Sequence, residues 1–192
     1  MQKQISFIVE IDKLKEVYRR SFIMEATRNE NDAEHTWHLA MMAVLLTEYV
    51  DTKDLDLLRV LKMILIHDLV EIDAGDTFAY DPQGQLDKKD REERAAERIF
   101  NLLPKDQAEE VFALWREFET GQTEEAKYAH ALDKLQPVLQ NYYTQGKSWR
   151  QHKVSSNQVL ARVSVIKDSS VQLWKYTVEL IEDAVKKGFL QK

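Results

Sequence analysis

The chain has 192 residues, 44% of them hydrophobic and 31% charged, with a formal net charge of −6. That mix suits one globular domain with a sizeable core, and the negative balance argues against a nucleic-acid or membrane-surface binder. There is no cysteine, so disulfides and thiolate chemistry are excluded, and any metal must sit on histidine and carboxylate side chains.

Five glycines and three prolines are too few for many tight turns, which favours long helices over short strands. The start, "MQKQISFIVEIDKLK", has no signal-peptide core. The longest apolar run, "LAMMAVLL", is far short of the roughly 20 residues of a membrane-spanning helix. A cytoplasmic protein is the expectation.

Apolar residues recur at helical spacing from the start: Ile5, Ile8, Ile11, Leu14 and Tyr18, then Leu39, Met42, Leu46 and Tyr49. "NEND" (29–32) offers N-caps for a second helix and "DTKD" (51–54) for a third. The third is expected from about Leu55 to Ile72, ended by Ala74 and Gly75, with a polar loop containing "YDPQGQ" running to about Asp87. "DKKDREERAAERIFNLLP" predicts a fourth helix stopped before Pro104, and "KDQAEEVFALWREFETG" a fifth ended by Gly121. A sixth, "EEAKYAHALDKLQPVLQNYYTQG", carries Pro137 inside it, where a kink or an end is expected. A short helix near Gln158 to Ile166 and a last one from about Ser169 to Lys187 complete one all-α domain.

The unusual stretch is "HDLVEIDAGD" (67–76), which places His67, Asp68, Glu71, Asp73 and Asp76 at the end of an apolar helix. A buried carboxylate without a cation is costly, so either the segment surfaces or a cation compensates it. His67 shares a stripe with Val60, Met63 and Ile64, and His35 shares one with Leu39, Met42 and Leu46, so both imidazoles face the core. Asp68 adjoins His67, and Asp133 sits mid-helix among Ala129, Ala131 and Leu132 with no obvious basic partner. Two histidines and two aspartates then suit one divalent ion between core helices. Glu71, a turn after His67, is placed to hold a water beside that ion, and His130, one turn before Asp133, is a rival ligand that reads first as solvent-exposed. Asp73, Asp32 and the tryptophans read as surface, cap and core residues.

The ordered set "EH" (34–35), "HD" (67–68) and a distant Asp133 resembles the HD-domain metal-dependent phosphohydrolases. "LKEVYR" (14–19), "RNENDAEH" (28–35), "HDLVEIDAGD" and "AKYAHALDKL" (126–135) are similar to that superfamily's 5'-deoxynucleotidase-like branch. The likeness runs from about Ile5 to Trp149 and weakens beyond. It implies a single HD domain over residues 1–192, with a core at about 5–149 and C-terminal helices at 150–192. It further implies His35, His67, Asp68 and Asp133 as ligands of one divalent ion, with His130 excluded.

By the same resemblance Glu71 is the catalytic carboxylate, Asp76 lies beside the sugar, Arg19 holds the phosphate, and the protein is a homodimer hydrolysing 5'-(deoxy)nucleoside monophosphates. The residue types leave the ion open among Mn, Fe, Co, Ni, Zn and Mg. Arg20-Ser21 follows Arg19 where the branch carries a tryptophan, which predicts a weaker deoxy preference, and a one-residue insertion before His35 relative to the branch makes Arg20 a rival to Arg19. Another HD-type nucleotide phosphohydrolase and a non-catalytic, metal-stabilised helical regulator are the alternatives. Ile72 after Glu71 argues against the alarmone-hydrolase variant, and Glu71 where others carry lysine against the dinucleoside polyphosphate hydrolases.

Overall fold

The computed structural model describes residues 1–192. Helix α1 (Gln2–Ile11) leads through a 3₁₀ turn (Asp12–Glu16) into a two-stranded antiparallel ribbon, β1 (Tyr18–Phe22) and β2 (Asn29–Asn31). Then follow α2 (Asp32–Leu46), α3 (Leu57–Ile66), a 3₁₀ turn (His67–Val70) and α4 (Glu71–Ala74). The remaining helices are α5 (Lys88–Phe100), α6 (Lys105–Thr120), α7 (Glu124–Tyr143), α8 (Lys147–Gln151), α9 (Ser156–Val163) and α10 (Val171–Lys186), with further 3₁₀ turns at Thr47–Tyr49 and Ser164–Asp168. The fold is all-α apart from the ribbon, as the sequence predicts.

Helix α7 is the axis of the packing, touching α2, α3, α6, α9 and α10. Its Tyr128, Ala129, Leu132 and Leu135 meet Leu39 and Ala43 of α2 and Val60, Met63 and Ile64 of α3 in the larger apolar cluster. The small alanines let the helix backbones approach closely, and Tyr128 meets its buried polar demand by donating to the Ala43 carbonyl at 3.1 Å. A second cluster under the 3₁₀ turn joins Leu69 and Val70 to Ala95, Ile99, Phe100 and Trp115. The larger cluster also reaches a cleft, where its Val138, Trp149, Val154, Val159 and Val163 form part of the lining beside Asp133 of α7.

Four sequence expectations change. Tyr18 lies in β1, not on a helical stripe, because the chain reverses through Ile23–Arg28, where Ala26 takes φ 58°, and β1 pairs back on β2. Strand alternation then turns Arg19 and Ser21 inward and Tyr18 and Arg20 outward. The third helix is interrupted: Asp56, rather than a residue of "DTKD", caps α3 by accepting from the Arg59 N–H at 3.0 Å, and the helix tightens to 3₁₀ at His67. Gly75 ends α4 with φ +74°, the left-handed side that a Cβ disfavours. Of the kink or end expected at Pro137, the end does not occur: α7 runs through it, packed on several sides. Trp115 and Trp149 are buried as expected, but Trp37 is 66% exposed.

Candidate metal and nucleotide site

Asn31 caps α2 in a capping box with Glu34: the Glu34 N–H donates to Asn31 Oδ1 at 2.9 Å, and the Asn31 N–H to Glu34 Oε2 at 3.2 Å. That fixes the first turn of α2, which carries Asp32 and His35. The 3₁₀ turn does the same for α3. At about 3 residues per turn, positions i and i+3 eclipse, so Asp68 and Glu71 project from one side. Two groups of candidate donor atoms result, each lying within 4.8 Å: His35, His67 and Asp133, and Asp32, Asp68 and Glu71, every one of them buried.

The imidazoles are oriented from behind. His67 Nδ1 donates to the Ile64 carbonyl at 2.7 Å, which leaves Nε2 as the lone-pair nitrogen. Burial depresses the His67 pKa, which keeps the ring neutral. Nε2 is buried without a hydrogen bond, although Asp68 Oδ1 stands only 3.1 Å away. His35 Nδ1 meets Gln136 Oε1 at 3.1 Å and its Nε2 meets Asp133 Oδ1 at 3.1 Å, with the two histidine rings 5.8 Å apart. Gln136 is held in turn by donating to Glu30 Oε1 at 2.7 Å. A lone pair facing a carboxylate oxygen is repulsive unless a cation lies between them. This donor set, two imidazole nitrogens with carboxylate oxygens, therefore fits a borderline divalent ion.

The carboxylates carry the strain of this arrangement. Burial, then Asp68 and Asp32, push the Glu71 pKa well above its ordinary value. Burial and Asp68 likewise raise Asp32 to about 7. Asp133 is held well below its usual value: burial opposes this, but Lys134 and His35 outweigh it. The expectation that Asp133 lacks a basic partner is thus corrected, since Lys134 pairs with it and Arg19 Nη2 lies 3.9 Å away. Burial opposes charge on His35 as well, yet Asp133 and Glu30 hold its pKa up at about 9.

Arg19, rather than Arg20, reaches the cluster, donating through Nη1 to Asp32 at 3.1 Å and to Asp68 at 2.9 Å. Asp76, at the root of the long loop, lines the adjoining cleft with Arg19, Arg20, Phe78, Tyr80, Lys134 and Trp149. Every residue expected at the site is therefore in or beside it. His130 is not: its Nε2 bonds to the Phe118 carbonyl at 2.6 Å and its ring stacks on Phe118. Asp73 is at the surface, paired with Arg98.

Three participants go unread in the sequence: Asp32, taken as a cap, Gln136 and Glu30. The spacing held a signal for two of them. Asp32 lies three residues before His35, and Gln136 three after Asp133, each on its partner's helix face.

The chain belongs to the HD domain family, whose model matches residues 11–174. It is 32% identical over 137 residues to the 5'-deoxynucleotidase HDDC2 of Mus musculus, an alignment covering 71% of this chain and 67% of the mouse protein. The corresponding Dictyostelium discoideum protein is 31% identical, with 74% of this chain and 77% of that protein covered. The chain spans about two thirds of the length of the mammalian relatives. A crystal structure of a predicted metal-dependent phosphohydrolase from Magnetospirillum magnetotacticum superposes with a TM-score of 0.95 at 48% identity. It covers 99% of this chain and 95% of that one.

Proposed function

We propose that this protein is a metal-dependent 5'-nucleotidase that removes the phosphate from (deoxy)nucleoside monophosphates. One divalent ion of the Mn, Fe, Co, Ni, Zn or Mg series is held by His35, His67, Asp68 and Asp133. The observation that carries the reading is the buried, hydrogen-bond-free Nε2 of His67 beside the Asp68 carboxylate, on a helix end rich in carboxylates. The names of the relatives, 5'-deoxynucleotidases, give the substrate class. When bound, such an ion supplies positive charge to a phosphoryl oxygen and makes water more acidic.

The chain's own residues do the rest. Arg19 offers a charge-assisted clamp to a non-bridging phosphate oxygen. Glu71, whose Oε2 is buried and unpartnered, is placed to take a proton from the attacking water and to return one to the leaving 5'-oxygen. Asp76 meets the sugar edge from the loop, and the apolar and aromatic part of the cleft takes the base. The net charge of −6 leaves Arg19, Lys134 and the ion to draw the anion in. The reading includes a cytoplasmic homodimer: no helix is long and apolar enough to cross a membrane, and α2 and α3 present an apolar outer face suited to a second copy.

The test is phosphate release from paired deoxy- and ribonucleoside monophosphates after metal stripping and add-back of Mn, Co or Mg. Activity that returns with the metal is expected, and Asp133→Ala should lose most of its bound metal by elemental analysis. No release from any monophosphate with any ion would reject the reading.

A further inference from the structure

Asp32 is a fully buried carboxylate that the proposed chemistry does not use. It is the first residue of α2, and its Oδ1 accepts from Arg19 Nη1 at 3.1 Å, while Oδ2 has no partner. The contact is built rather than a chance meeting of long side chains. The Asp32 N–H donates to the Val17 carbonyl at 3.0 Å, which ties the start of α2 to the residue before β1, two positions from Arg19. On the other side, Asn29 Nδ2 donates to the Arg19 carbonyl at 2.9 Å. Backbone and side chain are thus both held in register.

The other carboxylates around the guanidinium are less able to hold it. Glu30 and Asp133 stand 3.9 Å away, beyond hydrogen-bond reach. Asp68, which accepts from Arg19 through Oδ2 at 2.9 Å, is also a proposed ligand of the ion, so its position answers to the ion as well as to Arg19. Asp32 alone bonds to Arg19 without being assigned to the ion.

We propose that Asp32 is the positioning residue for Arg19, anchoring one guanidinium nitrogen so that the remaining N–H donors of the rigid fork face the phosphate. This rests on the reading that Arg19 contacts phosphate. A guanidinium is planar, so fixing one nitrogen fixes the direction of the others. Without Asp32 the group keeps only its contact with Asp68 and pivots about it, so its free donors no longer face the substrate.

The experiment uses the metal-loaded protein with Asp32→Ala, Asp32→Asn, Arg19→Ala and the Asp32→Ala/Arg19→Ala double variant. Bound metal, KM and kcat for dAMP, and calorimetric affinity for inorganic phosphate are measured. Asp32→Ala should raise KM and weaken phosphate binding by roughly tenfold or more, the scale of one charge-assisted hydrogen bond, with kcat changed far less and metal content unchanged. In the Arg19→Ala background it should add nothing. Asp32→Asn keeps the shape and one acceptor oxygen, so it should fall between wild type and Asp32→Ala, and it carries the test if the alanine variant does not fold. Unchanged phosphate affinity, independent multiplying effects of the two substitutions, or loss of metal from Asp32→Asn would overturn the proposal. A wild type that hydrolyses no monophosphate would reject the function instead, while the calorimetric arm still reads the Asp32–Arg19 link.

Discussion

Gln136 gives the site its most testable single contact, because it is fully buried, touches the back of His35 and is itself pinned by Glu30. A partner behind a metal-ligating imidazole fixes its tautomer and direction, and its loss typically costs 10- to 100-fold in metal affinity. Gln136→Leu keeps the volume but removes the hydrogen bonds to His35, Glu30 and His38. It should weaken metal binding by about that factor in a chelator competition, with far-UV circular dichroism unchanged; wild-type affinity would place Gln136 outside the site's support. Arg19 and Asp76 separate in a different way. A phosphate contact serves every monophosphate alike, whereas a sugar contact senses the 2'-hydroxyl. Arg19→Ala should therefore depress kcat/KM for dAMP and AMP by similar factors, and Asp76→Ala should shift their ratio. A ratio untouched by Asp76→Ala removes Asp76 from the sugar. These residues also show what a sequence holds at this scale. His35 and His67 were legible because an imidazole on an apolar stripe has nowhere to go but the core. Asp32 and Gln136 share faces with His35 and Asp133, but polar residues at a helix start or beside a proline read as cap and solvent, and their burial depends on packing partners far along the chain.

The same limit operates on elements. The end of the third helix at Gly75 and the long loop after it were readable from glycine and from the loss of periodicity. The 3₁₀ turn that eclipses Asp68 and Glu71 was not, since it arises where Leu69 and Val70 pack on α5 and α6. The ribbon was hidden for a similar reason: Tyr18 continues a helical spacing, and only pairing with residues 29–31 makes it a strand. Nor does the sequence reveal what orders residues 75–87. Arg91 of α5 clasps that loop by donating to the Ala74 carbonyl, to Thr77 Oγ1 at 3.1 Å, to the Gly84 carbonyl at 3.0 Å and to Asp87 Oδ1 at 2.9 Å. One planar side chain thus holds both ends of the segment that brings Asp76, Phe78 and Tyr80 to the cleft. Arg91→Met keeps the aliphatic stem and removes every one of those bonds. The loop should become the first site of proteolytic cleavage, and KM for dAMP should rise more than kcat falls, with bound metal unchanged. Equal protease resistance in variant and wild type would mean that the loop is ordered by its own packing.

At the scale of the whole molecule, α2 is apolar on both faces, which a helix at a protein surface normally is not. Its inner face, with His35, Leu39 and Met42, is buried in the core, whereas Trp37, Met41, Val44 and Leu45 of its outer face are exposed, Trp37 at 66% and Leu45 at 64%. These four recur at helical spacing, and Leu58 and Leu65 of the adjoining α3 are exposed as well. An apolar tract across two packed helices exceeds the scattered hydrophobics that a monomer surface tolerates. Covering it with the same face of a second copy would be the isologous, two-fold solution that most homo-oligomers adopt. It would also give Trp37 the burial its sequence reading assigned to it, in a core shared between copies rather than within one. The proposed homodimer accordingly predicts that the wild type sediments at twice the monomer mass at micromolar concentration. Leu45→Glu, which puts a charge into the apolar face of each copy, should sediment as a monomer. Its metal content should be unchanged, because Leu45 points away from His35 and the cleft. A wild type that is monomeric under those conditions, or a Leu45→Glu variant that remains a dimer, would exclude this face as the contact between copies.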